Sequence, residues 1–346
     1  PGVRDPAGAA HAAGGARGGH HDLVDDLALV AFRDPFDGEG IEVYGGTNVS
    51  VARNTVRNCG AVGLNVVAVG NPAADASIDG VHFINNVVDF CRTMIGITCW
   101  WDPVGGPQHL RNLTFAHNVG RRIAKNGMRC DISYSGPLDR PAMDANPTHV
   151  DNLLFHANTV QWAPLDGPAA EQPLPEGHAF RLTSALGGAL VAGSIQAIGN
   201  VFTGSTSTTA HGHVRVEGVP GFTWTDNHLL GAPVSGDAPG MYLAGVPGAR
   251  VSGGSLGGAR SHGVQVQVSD GVAFSGLNVV DWNLSGTGSY GILVENSSYT
   301  DVSYCGFRSS VLTNVTAIIN RTSGTGHTGS ENRYLGSEYT GPMEEE

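Results

Sequence analysis

The sequence predicts an all-β solenoid, one elongated domain in which short strands stack coil on coil. Three observations predict it. A unit of two short alternating strands with a polar turn recurs along the chain. A polar residue, usually Asn, returns at one address of that unit, and a small residue followed by alternation returns at another. Repeats of about 20–50 residues with short β segments read as stacked coils, because one unit cannot bury its apolar face alone. Composition agrees: 51 of 346 residues are Gly, which favours turns and strands over helices.

Residues 1–22 are rich in Ala, Gly and His without any period, and read as a flexible or cap-forming segment. The solenoid is expected over 23–325, with Leu23–Val30 opening the core. Gly40–Tyr44 is the first clear strand, with Ile41 and Val43 pointing in. The unit is clearest at Asn48–Val67 and again at Gly80–Cys99. Asn112–Cys130 and Asn152–Asn158 with Ala179–Thr183 follow, and fainter copies begin near Ser194, Phe222, Arg250, Val272 and Val302. After Thr322 the repeat fades, and 326–346 read as a polar tail. The chain opens on Pro1, so removal of a start Met or leader is expected.

In the first strand of each copy, the residue five positions after the opening apolar one is Asn54, Asn86, Asn118, Asn158, Asn200 and Asn227, then Leu256, Leu277 and Phe307. Stacked asparagines at one bend can turn inward and satisfy backbone groups that have no other partner there. The second strand starts at Gly63, Gly96, Gly127, Ala179, His213, Gly240, Gly263, Gly291 and, loosely, Ala317. Alternation makes the second and fourth residues inward and the first, third and fifth outward. The inward column is Leu64, Ile97, Met128, Phe180, Val214, Met241, Val264 and Ile292, a solenoid core.

With the asparagine column and these alternations, the chain resembles the parallel β-helix repeats of the pectate-lyase-like superfamily over about residues 40–325. The resemblance implies a right-handed single-stranded parallel β-helix of about nine to ten coils. It implies no one activity, since that superfamily holds lyases, hydrolases, epimerases, phage tailspikes and adhesins.

Five cysteines leave at least one unpaired within the chain. Cys59 with Cys91, and Cys99 with Cys130, fall on equivalent addresses of coils ~4.8 Å apart, within disulfide range. Side chains stacked in register run parallel, so buried free thiols used as small apolar fillers are the favoured reading. Long inserts at Asp131–Thr148 and Gln161–Gly177 interrupt the middle coils, and loops of that length are usually functional or disordered.

The outward columns of the second strand carry the candidate site. One reads Glu42, Asn65, Thr98, Arg129, Arg181, Arg215, Tyr242 and Gln265; the next reads Tyr44, Val67, Trp100, Asp131, Thr183, Glu217, Ala244 and Gln267. Three coils thus present an arginine ladder flanked by Asp131 and Glu217, with Trp100 and Tyr242 at its ends and His213 at the first outward address. One reading is a structural charge ladder. The other is a groove for an acidic or richly hydroxylated sugar chain, with Arg129, Arg181 and Arg215 on carboxylates, Thr183 beside them, and Trp100 and Tyr242 under sugar rings. Asp131 and Glu217, two coils or ~9.6 Å apart along the stack, approach the ~6.5–9.5 Å of an inverting glycosidase. A lyase or epimerase would use His213 or Lys125 as base or acid, with an Arg or a bound Ca²⁺ neutralising the enolate. The leading expectation is an extracellular polysaccharide lyase or glycoside hydrolase. The rival is a non-catalytic β-helix: an adhesin, wall protein or tailspike-like glycan binder.

Weaker signals complete the picture. Cys99-Trp100-Trp101-Asp102-Pro103 is a sugar platform or an aromatic edge under a loop. Arg33-Asp34-Pro35-Phe36-Asp37 resembles the Asp-Pro-His-Asp signature of mannuronan C5-epimerases, with Phe36 in place of the His. His211 and His213 share a strand face but lack a third metal ligand. The net charge of −12 argues against a nucleic-acid partner, and no apolar run reaches the ~20 residues of a membrane span. Sequons at Asn48, Asn112, Asn283, Asn296, Asn314 and Asn320 hint at a secretory route.

Overall fold

The computed structural model describes the strands at 10–12, 22–25 and 28–30. It further describes segments 39–44, 46–69, 78–101, 109–134, 140–145, 147–163, 177–186, 190–204, 212–231, 238–282, 284, 286, 289–308 and 318–334. Three parallel sheets run the length of the stack, and each strand pairs with its counterpart one repeat earlier and one repeat later. This is a parallel β-helix, with the right-handed sense that parallel crossovers take. Rungs are numbered here by the strands of the first sheet: Ala10–Ala12, Ile41–Tyr44, Val62–Val69, Thr93–Trp101, Asn126–Tyr134, Phe180–Ser184, Val214–Glu217, Met241–Ala244, Val264–Gln267, Ile292–Glu295 and Ile319–Arg321. The aligned repeats and Gly40–Tyr44 account for ten of these eleven rungs, and Ala10–Ala12 supplies the eleventh. The stack continues past Thr322 into Thr328–Ser330 and Arg333–Tyr334.

Alternation buries one face of every strand. Phe83, Phe115 and Phe155 stack on successive rungs at 5.2 and 5.3 Å, and Phe180 meets Phe155 edge-on. Such pairs add to the burial of their area.

At the bend between the second and third sheets, the asparagines form one buried ladder. The Oδ1 of each of Asn86, Asn118, Asn158, Asn200 and Asn227 accepts from both the backbone N–H and the Nδ2 of the asparagine one rung before, at 2.7–3.0 Å. The column then runs through Gly254, Leu277 and Cys305 rather than Leu256, Leu277 and Phe307, as the flanking strand pairs show. The opening residues of those two rungs, Ala249 and Thr300, are small or polar. Counting from the next inward residue, Val251 or Val302, therefore overshoots by two. Gly254 is required: a Cβ there would lie 2.1 Å from the Asn227 carbonyl oxygen. The ladder resumes at Asn332, whose Oδ1 takes the Cys305 N–H at 2.9 Å.

The same two-residue slip occurs at rung 4. Ile95 pairs with Leu64 and Met128, so Met94, not Gly96, occupies the small-residue address. That address faces the inner corner rather than solvent. A Cβ on Gly63 would sit 2.4 Å from Val88, and one on Gly127 would sit 3.2 Å from Val160. Rung 4 inverts the pairing: Met94 is fully buried, and Gly120 takes the place of the valine, where a Cβ would lie 2.6 Å from the Met94 sulfur.

All five cysteines are buried and unbridged. Cys59 donates its N–H toward Cys91 Sγ at 3.4 Å. Cys99 and Cys130 are not opposite one another, since Cys99 pairs with Ile132 and Cys130 with Ile97. Burial pushes the Cys99 thiol up to about 12. The insert after Tyr134 contains a short helix, Arg140–Ala145, that buries Met143.

The Met94–Gly120 exchange is testable. Gly120→Val should overpack the corner and cost about 1–3 kcal/mol. Met94→Ala in the same chain should recover much of that loss, read as a coupling in a double-mutant cycle of urea unfolding. Additive effects would show that the two residues do not share one volume.

Candidate functional site

Parallel register brings Arg129, Arg181, Arg215, Tyr242 and Gln265 into one file on rungs 5–9 of the first sheet. Two residues on, Thr98, Asp131, Thr183, Glu217, Ala244, Gln267 and Glu295 form the adjacent file. Both inserts connect to the middle rungs of this sheet. One leaves the sheet after Tyr134, and the other returns the chain to it ahead of Phe180.

The charged groups of the two files are knitted together. Arg129 Nε donates a short ion-paired hydrogen bond to Asp131 Oδ2. Thr183 Oγ1 donates to Asp131 Oδ1 at 2.8 Å, and Arg181 Nε lies 3.0 Å from the same oxygen without aiming its N–H at it. Arg215 Nη2 donates to Glu217 Oε2 at 2.7 Å. Three guanidiniums therefore share two carboxylates, and the Arg129 side chain remains 43% exposed. Burial and the two flanking arginines lower the Arg181 pKa, while Asp131 opposes them. Further along, Tyr242 Oη donates to Gln267 Oε1 at 2.8 Å, and Glu295 Oε2 accepts from Gln265 and Gln267 at 2.9 and 2.6 Å. Burial, then Glu217, raises the Tyr242 pKa.

Not every expected member belongs to this face. The rung 4 slip places Thr98 opposite Asp131 and sets Trp100 opposite Ser133, two residues beyond the carboxylate file. The side chain of Trp100 lies outside the described residues. His213 is 1% exposed, because the small-residue address points into the corner. Burial lowers its pKa to about 4, so it is a neutral internal imidazole and not a group on the outward face. Lys125 sits in the turn before Asn126, four residues or ~13 Å of strand from Arg129, with its N–H on the Arg92 carbonyl.

Glu295 and His178 escaped the sequence reading, and Asn65, expected on the outward column, is buried there. Glu295 follows from carrying the carboxylate file one rung past Gln267. Asn65 is buried on the Arg129 file, with Nδ2 3.3 Å from Glu42 Oε2. His178, two residues ahead of the Phe180 strand, is buried and donates Nδ1–H to the Gly212 carbonyl at 2.8 Å. Its pKa is lowered to about 3, by burial first and then by Arg181, Arg215 and His213. His178 lies ahead of its strand, outside the alternation, and so leaves no sequence signal.

Among the described residues, no cluster of three or more His, Cys, Asp or Glu side chains could hold a metal ion, and no helix is long and apolar enough to cross a membrane. The Arg33–Asp37 motif, His211, Asp102, Pro103 and the sequons at Asn283 and Asn314 lie outside the described residues, as does the side chain of Trp101.

No family model matches the chain, and no curated protein matches its sequence. Several solved structures are similar in fold. Tailspike protein 3 of bacteriophage CBA120 is 10% identical with a TM-score of 0.38, over 91% of this chain and 53% of that one. This chain thus spans about half the length of that tailspike. The A-module of Azotobacter vinelandii mannuronan C-5 epimerase AlgE6 is 15% identical with a TM-score of 0.35, over 86% and 88% of the two chains. The receptor-binding domain of the siphovirus 9NA tailspike is 9% identical with a TM-score of 0.26, over 94% and 74%. At these values the likeness says nothing of activity.

The buried imidazoles predict a pH dependence. Folding lowers both from 6.5, to about 3 for His178 and about 4 for His213. Below pH ~6.5 the unfolded chain therefore binds protons that the folded chain refuses, and stability falls as the pH drops toward those values. Urea unfolding of His178→Asn, which keeps a donor for Gly212, should show this acid slope flattened by one proton. An unchanged slope would mean that His178 is protonated in the fold.

Proposed function

We propose that the protein binds an acidic polysaccharide along the outward face of the first sheet. Arg129, Arg181 and Arg215 take its carboxylates, Thr183 its hydroxyls, and Tyr242 a ring face. The observation that supports this most is the in-register arginine file itself. Three guanidiniums on consecutive rungs, with only two carboxylates between them, leave a cationic strip on a chain of net charge −12. Guanidinium forks suit planar carboxylates, and Asp131 and Glu217 hold the arginines extended before a ligand arrives. On this reading the protein works outside the cell, where such polymers occur.

Turnover, as a polysaccharide lyase or glycoside hydrolase, is the narrower reading. It is favoured by Asp131 and Glu217 standing two rungs apart on one outward file. Against it, each carboxylate is engaged by its own arginine, His213 is buried, and Lys125 lies at the far end of the strand. Binding is therefore the better supported of the two.

Equilibrium binding to polygalacturonate, alginate and neutral dextran separates these readings. Arg181→Ala should weaken binding to an acidic polymer about tenfold, the loss of ~1.4 kcal/mol from one charge-assisted contact. Release of unsaturated or reducing ends, abolished by Asp131→Asn or Glu217→Gln, would add catalysis. Failure to bind any acidic polymer would sink the proposal.

A further inference from the structure

The third sheet carries a separate cluster of cations that the first-sheet face does not use. Arg57, Asp89 and Arg121 stand on successive rungs 2–4 of that sheet. Arg122 follows Arg121, and Arg92 lies in the turn three residues after Asp89, with Lys125 one rung above it. Two arginines, Arg57 and Arg122, thus meet one carboxylate, with Arg121 next to it in the file and Arg92 in the following turn, on a strongly acidic chain. Arg92 and Arg121 are exposed and have no ion pair among the described residues.

The cluster is built rather than scattered. The pairing of Val119–Ile123 with Thr159–Trp162 shifts register between Gly120 and Ile123, and this irregularity carries Arg121 and Arg122. Such bulges re-aim side chains. Arg122 adopts a left-handed φ of 51°, and Phe90 beside it one of 59°. Asn58 takes the same φ one rung before Phe90, so the turn that carries Arg122 is a repeated bend of the stack. Asp89 then fixes Arg122 through two parallel bonds, Nε to Oδ1 at 2.9 Å and Nη2 to Oδ2 at 2.8 Å. The guanidinium rests 5.3 Å from the centre of the Phe90 ring. Arg57 approaches the same carboxylate only to 4.0 Å and keeps 57% of its side chain exposed, while Arg122 keeps 46%. An oriented, half-exposed guanidinium loses little freedom when it meets an anion.

We infer that this surface is a second anion-binding site, and that its ligand is an acidic polysaccharide chain lying across rungs 2–4. Arg57 and Arg121 stand two rungs apart on either side of Asp89, ~9.6 Å along the stack, with Arg122 and Arg92 beside them, and this extended spread of cations suits the run of anionic groups along a sugar polymer. A single-stranded nucleic acid would need exposed aromatic faces on which bases stack, and Phe90 is covered by Arg122. The inference does not depend on the first-sheet proposal, since the two sites share no residue.

The test uses the full chain, wild type and variant, titrated with polygalacturonate, dextran sulfate and single-stranded DNA at low salt. Arg121→Gln/Arg122→Gln should weaken binding to at least one of the polysaccharides about tenfold, and the loss should persist when Arg181→Ala is added. Arg92→Gln, in an exposed turn and without an ion pair among the described residues, should cost about threefold and guards against a misfolded double variant. The polymer affected identifies carboxylate or sulfate as the recognised group. Unchanged binding of both variants to both polysaccharides, no binding by the wild type, or DNA held as tightly as either polysaccharide would overturn the inference. An effect of Arg181→Ala without an effect of these variants would leave the first-sheet reading standing alone.

Discussion

A solenoid of parallel strands must turn three corners per rung, and at each corner backbone N–H groups leave the sheet while still buried. An unpaired buried donor costs about 1–3 kcal/mol. The stack survives because one file of asparagines closes these donors rung by rung. Each Oδ1 accepts two bonds from the rung before, and each Nδ2 also reaches a buried carbonyl such as Val51, Phe83 or Phe115. Serine does the same at another bend, where Ser269 and Ser297 take the N–H groups of Val246 and Ser269. The ladder ties rung to rung over the six rungs from Asn54 to Asn227.

Register is what turns isolated surface residues into a surface. Arg129 and Arg215 are 86 positions apart, yet they stand two rungs from one another because Met128, Phe180 and Val214 stack beneath them. The like charges this creates are balanced locally by Asp131 and Glu217. The arginine file is therefore both a structural charge ladder and a cationic strip, and the two readings of the sequence describe one arrangement. On the third sheet, Asp89 plays the corresponding part for Arg122.

The corners explain why the stack tolerates uneven residues. Each corner has one volume to fill, shared between the first residue of a rung and a residue of its third-sheet strand. Gly63 with Val88 and Met94 with Gly120 fill it in opposite ways. His213 occupies such a corner with Ala179 and Gly240 on either side, and its imidazole is therefore internal and neutral.

The sequence by itself determined the class of fold, the inward columns, the asparagine ladder over six rungs, and the vertical neighbours Arg129, Arg181 and Arg215. All of these are carried by alternation and by repetition, which survive in a linear text. Tertiary structure alone decided which two-residue frame each rung adopts. A slip of two keeps the same faces in and out, so alternation cannot detect it, and only stacking against neighbours set Met94, Gly254, Cys305 and Trp100 in place. It also decided which way a corner residue points, because alternation ends where the strand bends, and this is why His213 and His178 went inside. The bulge that presents Arg121 and Arg122 depends likewise on contacts between rungs, not on any local run of residues.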